Sequence, residues 1–136
     1  MKLLDLFENG FGVPPILNNL KPKMAKAAQE VYDDWDESDV TTYANGGICH
    51  LIADAIVDVL YSHNIDAVSF SCSVGENHVM VACQHDGMTY IIDIPPYVYE
   101  TGGGYSWKKI EDVEFGPEDI DIEYTSEDFS SYAEDF

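Results

Sequence analysis

The chain has 136 residues, and its 26 acidic residues against 6 lysines and no arginine give a formal net charge of −20. This length suits one domain, and 46% hydrophobic residues are enough to build its core. The charge excludes nucleic acid and anionic membranes as partners, because both are bound through basic residues. Without a guanidinium to hold a phosphate, no cofactor is expected.

Two helices are predicted in the first half of the chain. Pro14-Pro15 is expected to stop a short N-terminal helical stretch, and Asn19 to cap a helix from about Lys21 to Trp35. The most regular helix is predicted from about Ile48 to Ser62. Its apolar residues recur at helical spacing and define one face, formed by Cys49, Ile52, Ala53, Ile56 and Leu60.

The periodicity then changes from helical to strand-like. Residues 68–74 alternate apolar side chains with serines, which predicts a half-buried strand. Two more strands, His78–His85 and Met88–Ile94, are joined at Asp86-Gly87, which is a strong hairpin signal. The predicted fold class is therefore α+β, with the N-terminal helices packed on an antiparallel sheet.

Acidic charge is concentrated at the C-terminal end, where residues 111–136 hold 11 of the acidic residues and no lysine. Short strands or edges are predicted at 111–115 and 120–124. We predict a single α+β domain over residues 1–115 and an acidic, aromatic tail over 116–136. The tail is interpreted either as a solvated terminus or as a docking segment whose aromatic residues bind a protein partner or the protein's own cleft.

The three cysteines, Cys49, Cys72 and Cys83, are odd in number and lack C-x-x-C spacing, so no disulfide framework is expected. They also lack a standard zinc spacing, and no metal site is predicted. The first residues hold no apolar run of signal-peptide length, and no segment approaches about 18 consecutive apolar residues. A cytoplasmic location is the simplest expectation.

Cys49 is the first candidate for chemistry, because it is predicted in the first turn of its helix, directly after Gly46-Gly47. Unpaired N–H groups and the positive end of the helix dipole favour a thiolate there, and the thiolate is the nucleophilic form of cysteine. The same position on the apolar face is equally typical of a cysteine that only packs in the core.

The predicted hairpin adds a second group of residues. If Asp86 and Gly87 are the two turn residues, Met80 lies opposite Asp93, and His78, which shares a face with Met80, becomes the diagonal neighbour of Asp93. A carboxylate beside an imidazole fixes its tautomer and stabilises its protonated form. The alternative is an aspartate at a strand end that is solvated by the following turn.

Three features follow one another along the chain: Gly46-Gly47-Ile48-Cys49 before an apolar helix, His78 at the start of a strand, and Tyr90-Ile91-Ile92-Asp93 at the end of the next strand. Together they resemble the transglutaminase-like branch of the papain-like thiol enzymes. The Gly-Gly-x-Cys element and the His-to-Asp spacing are similar to those of the arylamine N-acetyltransferases. The resemblance covers about residues 43–107. It implies a papain-like core.

The same resemblance implies roles for individual residues: Cys49 as the nucleophile, His78 as general base and then acid, and Asp93 as the orienting carboxylate. The implied reaction is acyl transfer from an amide or thioester. Backbone N–H groups at the helix start would hold the oxyanion, with Asn45 or Tyr43 from the preceding loop as further candidates. Trp107 is a candidate for lining a substrate groove.

The negative charge favours a neutral or basic peptide substrate and argues against coenzyme A. The expected function is therefore a thiol hydrolase or acyltransferase: a peptidase, an amidase or a transglutaminase-like enzyme. The alternative is a catalytically inactive acidic binding protein on the same fold, acting as an inhibitor or a nucleic-acid mimic.

Overall fold

Two long helices and a four-stranded antiparallel sheet make up the α+β architecture of this computed structural model, which describes residues 12–35, 48–72, 78–101, 108–110 and 112–133. The helices and strands are α1 (Pro15–Asp34), α2 (Ile48–Ser62), β1 (Asp66–Cys72), β2 (His78–His85), β3 (Met88–Asp93), β4 (Glu100–Thr101), β5 (Lys108–Lys109), β6 (Asp121–Thr125) and α3 (Phe129–Ala133). No helix in the described ranges is both long enough and apolar enough to cross a membrane.

The sheet has the strand order β1-β2-β3-β6, while β4 and β5 form a separate two-stranded ribbon. Asp86 and Gly87 connect β2 to β3 with positive φ angles of 51° and 78°. Both angles suit the two-residue turn that matches the twist of a hairpin. The resulting register pairs Cys83 with Tyr90 and His85 with Met88, as the turn sequence predicts.

The start of α1 corrects the sequence analysis. Pro14 is the N-cap residue and Pro15 occupies the first turn, so the double proline begins the helix, and Asn19 lies inside it. A proline at the first helical position gives up no hydrogen bond, because that N–H has no intrahelical partner, and its fixed φ suits the helix. Pro22, also inside the helix, is exposed.

Helix α2 has the predicted bounds and buries the predicted face. It packs on α1 and on the strands β1 and β2. Its buried residues form one core with those of α1 and the sheet, and the largest fully buried side chains of that core include Leu17, Met24, Ile56, Leu60 and Ile92. The first turn of α2 is thereby fixed relative to the sheet.

Strand β1 (66–72) begins two residues before the predicted start at Val68, and Ser73 and Val74 lie outside the described residues. The Ser69 hydroxyl donates to Oδ1 of Asp54 at 3.4 Å, so the side of the strand that carries Ser69 faces α2. The other side carries Phe70, whose ring packs on Tyr132 of α3 at a centroid distance of 4.7 Å. Both sides of β1 are therefore covered.

The C-terminal segment contributes directly to the sheet. Strand β6 pairs with β3, with Thr89 opposite Thr125 and Ile92 opposite Ile122. The strand predicted at 120–124 is thus confirmed with a shift of one residue, whereas residues 112–115 form no strand. The division of the chain at residue 115 into a domain and a tail stays a prediction.

Gln29 of α1 holds the extended segment that precedes β6. Its Nε2 donates to the carbonyl oxygen of Val113 at 3.0 Å, and its Oε1 accepts from the backbone N–H of Phe115 at 2.7 Å. The Phe115 ring in turn contacts Tyr32 edge-on, with a centroid distance of 5.3 Å. The amide of Gln29 thus satisfies one part-buried backbone donor and one part-buried backbone acceptor. Neither group is paired by a strand.

We expect Gln29→Ala to lower the free energy of unfolding by about 1–3 kcal/mol, because it leaves two part-buried backbone groups without their partner. Urea unfolding measures the effect, and Asn19→Ala, at an exposed position of the same helix away from this segment, is the control. Equal stability of the two variants would show that Gln29 does not anchor the segment.

Candidate active site

Three elements bring Cys49, His78 and Asp93 together. Cys49 is the second residue of α2, His78 is the first residue of β2, and Asp93 is the last residue of β3. Their proximity follows from the packing of α2 on β2 and from the register of the hairpin. Side chains far apart in sequence therefore meet at one end of the sheet.

His78 and Asp93 form a close, largely buried pair. Nε2 of His78 lies 2.9 Å from Oδ1 and 3.0 Å from Oδ2 of Asp93. The two side chains are 18% and 20% exposed, respectively. The diagonal proximity predicted from the turn is confirmed, and the carboxylate has an imidazole partner rather than solvent alone.

Cys49 completes a chain of hydrogen bonds. The residue is 4% exposed, and its side chain is hydrogen-bonded to His78. Because both Asp93 oxygens contact Nε2, the ring nitrogen left for the sulfur is Nδ1. This order of thiol, imidazole and carboxylate is one of the arrangements used in nucleophilic catalysis by cysteine.

The imidazole of His78 is held in its protonated form. Burial lowers the pKa of His78, but the hydrogen bonds to Asp93 and Cys49 and the negative charge of both groups outweigh burial and raise the pKa to about 10. His78 therefore carries a positive charge at neutral pH, in contrast to an unperturbed histidine.

Cys83 provides a comparison within the same molecule. It is fully buried opposite Tyr90, and burial raises the pKa of the Cys83 thiol to about 12. A buried cysteine without a charged partner remains a thiol, which is inert as a nucleophile. Cys49 differs from Cys83 in having the charged imidazole of His78 as its hydrogen-bond partner.

The space beside Cys49 is narrow. Its lining includes Ile52 of α2, Val79 of β2, Ile92 of β3 and Tyr99, and it has no room for a water molecule. Sequence analysis missed Tyr99, which is 1% exposed and stacks edge-on against Phe115. The sequence signal for Tyr99 was its position shortly after Pro95-Pro96, which follow the end of β3.

Strand β6 adds a carboxylate that sequence analysis did not place near the site. Asp121 lies directly opposite Asp93 in the β3–β6 register and is exposed. Like charges in such a pair repel each other, and a cation beside them offsets the repulsion. Asp93 is the member of this pair that contacts the charged imidazole of His78.

Three other predicted site residues stay predictions. Tyr43, Asn45 and Trp107 lie outside the described residues. His50 contacts Asp54 at 3.3 Å on the partly exposed side of α2. Within the ranges that the structure describes, no group of three or more His, Cys, Asp and Glu side chains is placed to hold a metal ion.

Comparisons of the chain with protein-family models, with curated proteins and with solved structures found no match.

We expect Asp93→Asn to destabilise the protein most at low pH. His78 has a folded-state pKa of about 10 and an ordinary value of 6.5, so its protonation contributes stability that is complete below pH 6.5 and is lost as the pH rises to about 10. The difference in unfolding free energy between wild type and Asp93→Asn should therefore shrink across this range.

Urea unfolding at several pH values measures that difference, and NMR titration of the His78 ring measures the pKa directly. His85→Gln is the control, because His85 belongs to the same strand and contacts the exposed Asp86. If His78 titrates near 6.5 in the wild type, the ion pair between His78 and Asp93 does not exist in solution.

Proposed function

We propose that this chain is a thiol enzyme with a papain-like, transglutaminase-like core, which cleaves or transfers the acyl group of an amide or peptide. The observation that supports it most is the hydrogen-bonded order Cys49, His78, Asp93. A buried imidazole that keeps its proton at neutral pH is the partner that a cysteine nucleophile needs.

The reaction begins with the sulfur of Cys49 as a thiolate beside the His78 imidazolium. The thiolate attacks the carbonyl carbon, and the carbon–nitrogen bond of the tetrahedral intermediate breaks as His78 gives its proton to the leaving amine. The neutral imidazole then takes a proton from water or from an acceptor amine, which attacks the thioester. Release of the product regenerates the thiolate and the imidazolium.

The start of α2 supplies the second requirement of this reaction. The first N–H groups of a helix have no intrahelical partner, and they carry partial positive charge. In the proposed enzyme the N–H of Cys49 donates to the oxyanion of the tetrahedral intermediate. Donors of this kind, fixed before the reaction, account for a large part of enzymatic acyl transfer.

Charge supports a substrate class. A net charge of −20 repels anionic acyl donors such as coenzyme A, attracts basic peptides and does not repel neutral ones. Asp121, exposed beside Asp93, places negative charge next to the reacting groups. We propose a cytoplasmic enzyme acting on a neutral or basic peptide or protein, with the acidic tail as a further surface for a protein partner.

A second candidate function is an acidic binding protein on the same fold, either an inhibitor or a nucleic-acid mimic. Two observations favour it: Cys49 is almost completely buried, and the space beside it excludes water. Under this proposal the pair of His78 and Asp93 stabilises the fold, and binding depends on the acidic surface.

Alkylation by iodoacetamide separates the two candidates. The enzyme should be labelled at Cys49 at about pH 6, because the imidazolium favours the ionised sulfur, and His78→Ala should slow this labelling by about tenfold or more. Mass spectrometry assigns the labelled residue. Cys83 is the internal control and should stay unlabelled in both proteins.

A thiol at position 49 that is inert, or that reacts equally in both proteins, would exclude the enzyme. Incubation with p-nitrophenyl acetate adds a test of chemistry: the enzyme should form an acetylated Cys49, and Cys49→Ser should not. Binding of a basic protein that survives Cys49→Ser but is lost on truncation after Phe115 would instead favour the binding protein.

A further inference from the structure

A surface groove runs between α1 and α2, away from the candidate active site. It has a volume of about 470 Å³. Its floor is formed by small and half-buried apolar side chains: Ala27 and Val31 of α1, and Ala55 and Val59 of α2. These positions recur at helical spacing on each helix, so the groove follows the two helices rather than crossing them.

The rim of the groove is acidic. Glu30 and Asp34 of α1 and Asp58 of α2 line it, and all three are exposed. No ion pair neutralises them within the described part of the chain. Lys23, one turn before the floor begins, is engaged with His63, with 3.2 Å between its Nζ and Nε2 of the ring.

The end of α1 adds to this negative potential. Asp33 and Asp34 lie in its last turn, which holds no basic residue. The C-terminal end of a helix is the negative end of its dipole, so aspartates there are unfavourable in the isolated protein. A positively charged ligand would relieve this repulsion, since it meets the carboxylates and the dipole together.

The chain itself offers no such ligand. The segments outside the described ranges contain one lysine, Lys2, and an excess of acidic residues. A second copy of the chain, also at −20, would be repelled by a groove of the same sign. Charge complementarity therefore requires a different, basic molecule.

We propose that this groove binds a basic amphipathic helix of a partner protein. Small apolar side chains of that helix lie on the floor, and its lysines or arginines meet Glu30, Asp34 and Asp58. A helix suits the site because it satisfies its own backbone, whereas a groove between two helices offers no strand edge to an extended peptide. A third helix lying in the groove of two others is ordinary helix packing.

The test titrates the full chain with a synthetic helical peptide of about 18 residues, with alanine and leucine on one face and lysine on its flanks. In the groove variant, Glu30→Gln, Asp34→Asn and Asp58→Asn are combined. The control variant combines Asp66→Asn, Glu118→Gln and Glu127→Gln, all exposed residues outside the groove, and has the same net charge. Calorimetry gives the affinities, and circular dichroism checks folding.

We expect the groove variant to lose affinity by about tenfold or more and the control variant by less than about threefold. Ala55→Gln, which fills the floor without changing charge, should also weaken binding, and amide NMR shifts should concentrate at residues 27–34 and 55–62. Equal losses in both charge variants, or shifts spread over the acidic surface, would overturn the proposal, as would no binding at all. None of these readouts depends on Cys49, so the proposed enzyme is tested separately.

Discussion

The two-residue turn at Asp86 and Gly87 is the constraint on which the candidate site depends. Both residues adopt positive φ angles, which the asparagine-like side chain of aspartate and the absence of a side chain in glycine make accessible. The turn sets one register between β2 and β3, and that register places His78 beside Asp93. A shift of one residue would move one of the pair to the other face of the sheet.

Core packing fixes the position of Cys49, the third residue of the candidate site. The apolar face of α2 fixes the helix along its axis against the sheet, and Cys49 belongs to that face. The contacts that bring its sulfur to His78 are therefore the same contacts that bury it. The packing that holds the sulfur of Cys49 at His78 also limits access to the sulfur. Looser packing would expose the sulfur and weaken its contact with the imidazole.

Features set by local sequence could be predicted, and features set by distant contacts could not. The bounds of α2 and the hairpin register follow from periodicity and from one turn. The predicted start of α1 was wrong because proline both ends one helix and suits the first turn of another, while the N-terminal stretch that Pro14-Pro15 was expected to stop lies outside the described residues. Other features depend on contacts between distant segments, which no single segment encodes. They are the packing of α3 on Phe70, the hydrogen bond of Gln29 to Phe115 and the position of Asp121 opposite Asp93.

Because β6 is synthesised after β3, their pairing has a consequence for the growing chain on the ribosome. Residues 94–120 separate the two strands, so a chain leaving the ribosome can close the β2–β3 hairpin, and with it the His78–Asp93 contact, while β3 is still an unpaired edge. An open strand edge is a site of faulty association in unfinished chains. Until β6 has been synthesised, the candidate site therefore lies on a sheet whose open edge can pair with a strand of another chain.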